Sequence, residues 1–304
     1  MKTHFSQLKA SRLLMIVIIG LILIKVAAGW WTGSISILAQ AMDSLLDLAA
    51  ALITFIAIRI AMKPPDEEHP FGHGKAEDVA GIAQCVLIFT TSALIIYSAI
   101  LRIIQGTTIQ LTYVGIAVMA VSIIVSVALS RYLLRIARQT DSIALEANAR
   151  NISADVYSAF AVLAGLLIVQ FTGFGIVDAI IAIVVALYIL RMAYYTFRKP
   201  FSRLMDAKLQ PSEENVIKAC IMKYSDEVIE FHKLRTRQSG NQRYIDLHVV
   251  MSKGLDLEKA HNICNCIEDS IRDSLPRASI TIHIEPCTEE CDHCTVVCDI
   301  RENR

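Results

Sequence analysis

Asp43 and Asp47 stand four residues apart within the apolar run 37–62, and Asn151 and Asp155 repeat that spacing within the run 142–172. On a helix, positions i and i+4 share one face, so each run offers two oxygen donors side by side. Carboxylates at bilayer depth cost at least ~2.5–3.5 kcal/mol apiece on insertion scales, so three of them demand a compensating cation or protons. A divalent metal answers that demand: two helices, each contributing an i, i+4 pair, can close a four-ligand, roughly tetrahedral site. The bland alternative sets Asp43 and Asp47 in structural ion pairs with Lys25 or Arg59. That would suit a single intramembrane acid, whereas the doubled pattern favours the metal. Asp178, alone near the start of the last apolar run, reads as an interfacial cap.

Three further clusters lie outside the apolar runs. The segment PPDEEHPFGHGKAED places Asp66, His69 and His73 within eight residues, with Gly72 and Gly74 permitting tight turns. One carboxylate and two imidazoles suit a transition metal, against the alternative of a solvated turn. Further on, His232, His248, His261, His283 and Glu285 crowd about fifty residues. Histidines on adjacent strands can converge, and Glu285 shares a pleat face with His283, so these residues suggest a second, sensing or structural metal site. Finally, Cys287, Cys291, Cys294 and Cys298 surround His293. Their thiolates could capture a soft metal as an accessory element, but the spacing is not that of a standard zinc knuckle, and a reduced tail without a site is slightly preferred.

The elements that must position these residues follow from composition. Of 304 residues 54% are hydrophobic and only 19% charged, an excess that a wholly water-soluble or disordered chain would not carry. Six runs approach the roughly 20 apolar residues needed to cross a bilayer, near 13–31, 37–62, 77–105, 111–138, 142–172 and 174–196. All seven prolines fall outside them, so six largely unkinked helices are expected. The basic start precedes an apolar run without a small-residue cleavage site, which reads as an uncleaved first span. Lys2, Lys9, Arg12, Lys63, Lys75, Arg131, Arg135, Arg138, Arg198, Lys199 and Arg203 mark one set of loops, while GWWTGSIS and FTGFG carry no charge. Positive loops stay inside, so both termini are expected in the cytoplasm, with Trp30 and Trp31 in an interfacial belt on the far side.

Beyond a linker the texture becomes that of a small α+β domain. A helix over 212–224 with Ser212 as its N-cap, strands over 227–238 and 243–251 joined at Ser239–Gly240–Asn241, a helix over 257–274 and a strand over 279–285 give the order α-β-β-α-β. The expected organisation is a membrane all-α transmembrane domain of six helices over 1–198, a linker over 199–211, a cytoplasmic domain over 212–287 and a cysteine-rich mobile tail over 288–304. The formal net charge is zero, which argues against a nucleic-acid partner, and the cysteine pattern is no disulfide framework, which points to a reducing compartment.

Together, SISILAQAMDSLLDLAAA, HPFGHGKAE, NISAD, RTRQSGNQRYIDLHV and ITIHIEPC resemble the cation diffusion facilitator family, especially its bacterial efflux members, over about residues 8–287. The resemblance implies a homodimer in the bacterial cytoplasmic (inner) membrane, each protomer with six helices and a metallochaperone-like cytoplasmic domain, exporting divalent transition metals against protons by alternating access. On that likeness Asp43, Asp47, Asn151 and Asp155 form the transport site and Asp66, His69 and His73 a loop site. His232, His248, His261, His283 and Glu285 match a binuclear cytoplasmic site at the dimer interface, and Lys75 and Asp206 an interlocking salt bridge between protomers. Zinc members commonly place histidine where this chain has Asn151, and Asn-bearing manganese members are also similar. Glu285 stands where some relatives have aspartate.

An all-oxygen site of three Asp and one Asn suits harder ions such as Mn²⁺ or Fe²⁺ better than Zn²⁺, which readily takes imidazole nitrogen. The expected activity is therefore Mn²⁺ or Fe²⁺ efflux coupled to protons, with a broad Zn²⁺/Cd²⁺/Fe²⁺ antiporter as the alternative. A metal channel using the acidic pair as a selectivity ring, or a membrane-anchored metal sensor, are remoter readings. An enzyme is not expected, since no nucleophile–base pair or phosphate-cradling loop stands out.

Overall fold

Long stretches of Leu, Ile, Val and Ala form six helices in the computed structural model, which describes residues 2–32, 35–105, 113–172 and 176–287. They are α1 (Lys2–Thr32), α2 (Ile35–Ala61), α3 (Lys75–Gln105), α4 (Tyr113–Thr140), α5 (Ile143–Thr172) and α6 (Ile176–Leu204). Among the described residues all but α5 contain a window long and apolar enough to cross a membrane. The first half of α5 carries Glu146, Arg150 and Asp155. Ile16, Leu23, Leu94, Ile124 and Val184 are all more than half exposed. Such outward-facing apolar side chains suit a hydrocarbon solvent rather than water.

Polar contacts show how the helices alternate in direction. Gln7 Nε2 donates to the Thr140 carbonyl at 3.5 Å, Arg203 Nη2 to Asp141 Oδ1 at 3.1 Å, Lys199 Nζ to Glu146 Oε2 at 2.9 Å, and the Ser142 hydroxyl to the Glu77 carboxylate. The starts of α1, α3 and α5 therefore share one end of the bundle with the ends of α4 and α6. Asp141, at φ 55°, makes the left-handed turn between α4 and α5.

Pro200 departs from the expectation that every proline lies outside the helices, because α6 runs through it to Leu204. It removes the N–H that would otherwise reach the Thr196 carbonyl. In return its ring packs where α3 carries Gly81: a Cβ there would meet Ile143 Cγ2 at 2.6 Å and Pro200 Cβ at 3.3 Å. Bareness at Gly81 lets α3, α5 and α6 approach closely.

The chain divides into two compact units, Met1–Leu204 and Met205–Arg304. The second contains α7 (Pro211–Met222), β1 (Val228–Ser239), β2 (Gln242–Met251), α8 (Leu257–Ser274) and β3 (Ala278–Pro286). The N-cap of α7 is Gln210 rather than Ser212: Pro211 takes the first helical position, where its fixed φ is preorganised, and Glu213 Oε2 accepts from the Gln210 N–H at 3.4 Å. At α8, Asp256 caps the Lys259 N–H at 2.8 Å, and Ala260, Cys264, Ile267 and Ile271 form one buried stripe.

The sheet has order β1-β2-β3, with β1 antiparallel and β3 parallel to β2. The hairpin turns at Gly240, whose φ of 57° favours glycine. Ile245, Leu247, Val249 and Met251 alternate along β2 into a core shared with Ile217, Ile221, Ile267 and Ile271. The intervening positions, His248 among them, face the other side.

Candidate metal centres

Strand register assembles the first centre. His232 on β1 is the register partner of His248 on β2, which is the partner of His283 on β3, so three histidines share one rung across the sheet. Ring centroids lie 5.5 Å apart for His232 and His248 and 4.7 Å apart for His248 and His283. Glu285, two residues beyond His283 on the same face, completes the cluster. His248 Nδ1 donates to its Oε1 at 2.6 Å, His232 Nε2 lies 3.1 Å from Oε2, and His283 Nε2 3.9 Å from Oε1.

A bulge between His232 and Arg235 gives Lys233 a φ of 51°, and its Nζ lies 3.8 Å from Glu285 Oε1. The hydrogen bond from His248, helped by the charge of Lys233 and by His232, holds the Glu285 carboxyl below its ordinary pKa. Donor atoms of His232, His248 and Glu285 all fall within 4.8 Å of one another, close enough for one ion. His261 lies on the exposed face of α8 and is not part of that group. Lys233 escapes a sequence reading because nothing in the local residue types announces the bulge.

The loop 62–74 builds a second group. Asp66 Oδ1 accepts the His69 N–H at 2.7 Å, and Gly72, at φ 77°, returns its N–H to the His69 carbonyl at 2.8 Å, folding the loop back on itself. His69 Nδ1 and His73 Nε2 then lie 3.4 and 3.3 Å from the Asp66 carboxylate. The N–H of His69 is the main cause that lowers the Asp66 pKa, with the two imidazoles adding to it. Ligand atoms of all three residues fit within 4.8 Å, and His73 Nδ1 is buried with no hydrogen-bond partner among the described residues. A carboxylate and two imidazoles form a donor set that Zn²⁺, Fe²⁺ or Mn²⁺ can use.

Within the bundle, Asp47 and Asp155 are half-buried and Asn151 is 7% exposed. Asp43 lies on α2 one turn before Asp47, but its side chain, like that of Asp178 on α6, is outside the described residues. The helices that carry these positions are joined by a buried hydrogen bond, from Asn148 Nδ2 on α5 to Thr54 Oγ1 on α2, at 3.2 Å. Asp47 precedes Thr54 by seven residues and Asp155 follows Asn148 by seven, about 10.5 Å along each axis. Because α2 and α5 run antiparallel, both displacements lead the same way and bring Asp47 and Asp155 to one level. Lys25 Nζ donates to Ser44 Oγ at 2.6 Å, which places a cation on the α2 turn between the two acids. Arg59 lies over the Phe55 ring at 5.5 Å.

Lys75 opens α3, and Asp206, at φ 53°, accepts from Arg237 Nη1 at 3.4 Å within its own unit. Of the tail cysteines, Cys287 Sγ accepts the Lys253 N–H at 3.4 Å, while Cys291, Cys294 and Cys298 lie outside the described residues.

Residues 11–205 match the profile of the cation efflux transmembrane domain, and residues 209–287 that of the cation efflux protein cytoplasmic domain. The uncharacterized transporter sll1263 of Synechocystis sp. is 32% identical over 263 residues, 86% of this chain and 85% of that protein. The cation-efflux pump FieF of Salmonella typhimurium is 34% identical over 268 residues, 88% of this chain and 89% of the pump. A solved chain from work on the mode of action of CzrB is 30% identical, covering 26% of this chain and 99% of that one with a TM-score of 0.26. The family defined by the two profiles consists of cation efflux transporters rather than enzymes, and its cytoplasmic domain serves dimerisation. With both profiles met in order along a helical unit and an α+β unit, the chain belongs to the cation diffusion facilitator (cation efflux) family.

Proposed function

We propose that this transporter exports divalent transition metals in exchange for protons by alternating access, with Asp43, Asp47, Asn151 and Asp155 as the transport site. What supports the reading is the Thr54–Asn148 bond, from which seven residues along each of the two antiparallel helices lead to Asp47 and to Asp155. Three carboxylates bind M²⁺ to leave a net charge of −1, and protons entering from the far side neutralise the acids and release the ion. With no histidine in any span, the coupling runs through the carboxylates themselves. Oxygen-only donors favour Mn²⁺ or Fe²⁺ over Zn²⁺. A broad Zn²⁺/Cd²⁺/Fe²⁺ antiporter is the second reading, supported by the imidazole-rich loop and sheet groups, which suit those ions.

In this reading the loop residues Asp66, His69 and His73 and the sheet residues His232, His248, His283 and Glu285 are accessory metal sites on the cytoplasmic side, and His261, outside the convergent group within one protomer, joins the sheet site at the dimer interface. The protein works as a homodimer in a bacterial inner membrane, with Lys75 and Asp206 bridging protomers, both termini cytoplasmic, and the domains divided as 1–198, 199–211, 212–287 and 288–304. Proteoliposomes loaded with a metal-sensitive dye test the central claim across Mn²⁺, Fe²⁺, Co²⁺, Zn²⁺ and Cd²⁺. Asp47→Ala should reduce Mn²⁺ flux to background, and a proton ionophore should abolish uphill transport; intact flux in either case overturns the scheme. Asn151→His should raise the Zn²⁺/Mn²⁺ flux ratio by about tenfold, and an unchanged ratio removes the selectivity argument.

A further inference from the structure

Between the proposed transport site and the end of the bundle that holds loop 62–74, three polar side chains from three helices meet. They are Thr54 of α2, Gln84 of α3 and Asn148 of α5, with exposures of 0, 0 and 1%. Thr54 Oγ1 has a single proton and directs it to the Ala50 carbonyl at 3.2 Å. Towards the two amides it can only accept, and it does, from Gln84 Nε2 and Asn148 Nδ2, each at 3.2 Å. Gln84 Nε2 also donates to the Ala50 carbonyl at 2.7 Å. The hydroxyl therefore forces both amides to turn their nitrogens towards α2. Among the described residues their carbonyl oxygens, Gln84 Oε1 and Asn148 Oδ1, are buried and have no hydrogen-bond partner. Native interiors rarely leave two such acceptors unmatched on neighbouring helices, least of all where no bulk water competes.

We propose that Gln84 Oε1 and Asn148 Oδ1 form a neutral way-station, where a partly hydrated divalent cation rests between the loop end of the bundle and the Asp47–Asp155 level. The proposal builds on the transport reading above. Amide oxygens replace lost water ligands by their dipoles alone. A site on a conduction path must attract an ion enough to admit it and weakly enough to pass it on. A carboxylate at this position would hold the ion instead. Thr54 is the positioning residue: by accepting from both amide nitrogens it leaves both oxygens to serve as acceptors, and hard ions gain more from such oxygens than soft ones.

The test uses the full-length protein in proteoliposomes, with Mn²⁺ as the probe. Gln84→Met keeps the volume but removes the oxygen, together with the Nε2 bonds to Ala50 and Thr54. It should slow Mn²⁺ flux by about tenfold while equilibrium Mn²⁺ affinity in detergent, followed by electron paramagnetic resonance, stays within about twofold. Unchanged flux would mean that the oxygens serve only a structural water and would overturn the proposal. Flux and affinity falling together would make the layer a scaffold for the acids, and would overturn it equally. Should Gln84→Met fail to fold, Gln84→Glu decides: it should bind one additional Mn²⁺ per chain and transport more slowly, and an unchanged stoichiometry rejects the way-station. An Asp47→Ala protein that still transports Mn²⁺ defeats the transport reading itself. Loss of flux in Asp47→Ala beside normal flux in Gln84→Met defeats the way-station alone.

Discussion

Glu285 accepts a hydrogen bond from one imidazole, lies beside a second and faces a lysine, and each favours its ionised form. A carboxyl whose pKa is lowered by folding stabilises the native state fully above its unfolded value, near 4.3, and loses that contribution as pH falls through the lowered value. Acidification from about pH 6 to about pH 3 should therefore cost the wild type more thermal stability than Glu285→Gln, a comparison that melting curves of the full chain at several pH values will check. At neutral pH the same variant should weaken metal binding at the proposed sheet site by about 10- to 100-fold, measured by titration with Co²⁺. This cluster was largely legible from residue types, since period-two alternation puts His283 and Glu285 on one face. Its rung-by-rung alignment was not legible, because pairing register depends on bulges and on the choice of strand partners. The amides Gln84 and Asn148 were not singled out by residue type or spacing, and only the hydroxyl between them shows which of their atoms stay unmatched among the described residues.

At the level of whole helices, Gly81 decides how closely α3 approaches α5 and α6. Ile143, the neighbour that a Cβ would strike, is β-branched and confined on a helix to essentially one rotamer, so it cannot swing aside. Gly81→Val should destabilise the bundle by about 1–3 kcal/mol, the usual cost of overpacking. Thermal unfolding in detergent checks this, and Ile143→Ala in the same chain should restore part of the loss, since the two sites are in contact. Six helices could be read from hydropathy alone, but not all their ends: α1 begins at Lys2 and α6 runs to Leu204, well beyond the apolar runs 13–31 and 174–196. Pro200 inside α6 and Gln210 as the cap of α7 could not, because the first depends on a neighbouring helix with room for the ring and the second on which residue reaches back to the first free N–H.

Across the molecule, hydrophobic burial is organised separately in the two units. The α+β unit closes its own core around Ile217, Ile221, Leu247, Val249, Ile267 and Ile271. A fragment of residues 205–287 should therefore fold without the helices and melt as one cooperative transition, measured by circular dichroism. The division into apolar helices and an alternating small domain was plain in the sequence because it is a matter of composition. What the chain alone could not reveal is where the described part of each unit gathers its ligands. In the sheet that gathering has a mechanical corollary. His232, His248 and His283 occupy one rung, so sliding any strand past its neighbour by a single residue would turn an imidazole to the helical side. An ion seated there would act as an alignment pin for all three strands, making metal load and strand alignment two readings of one variable.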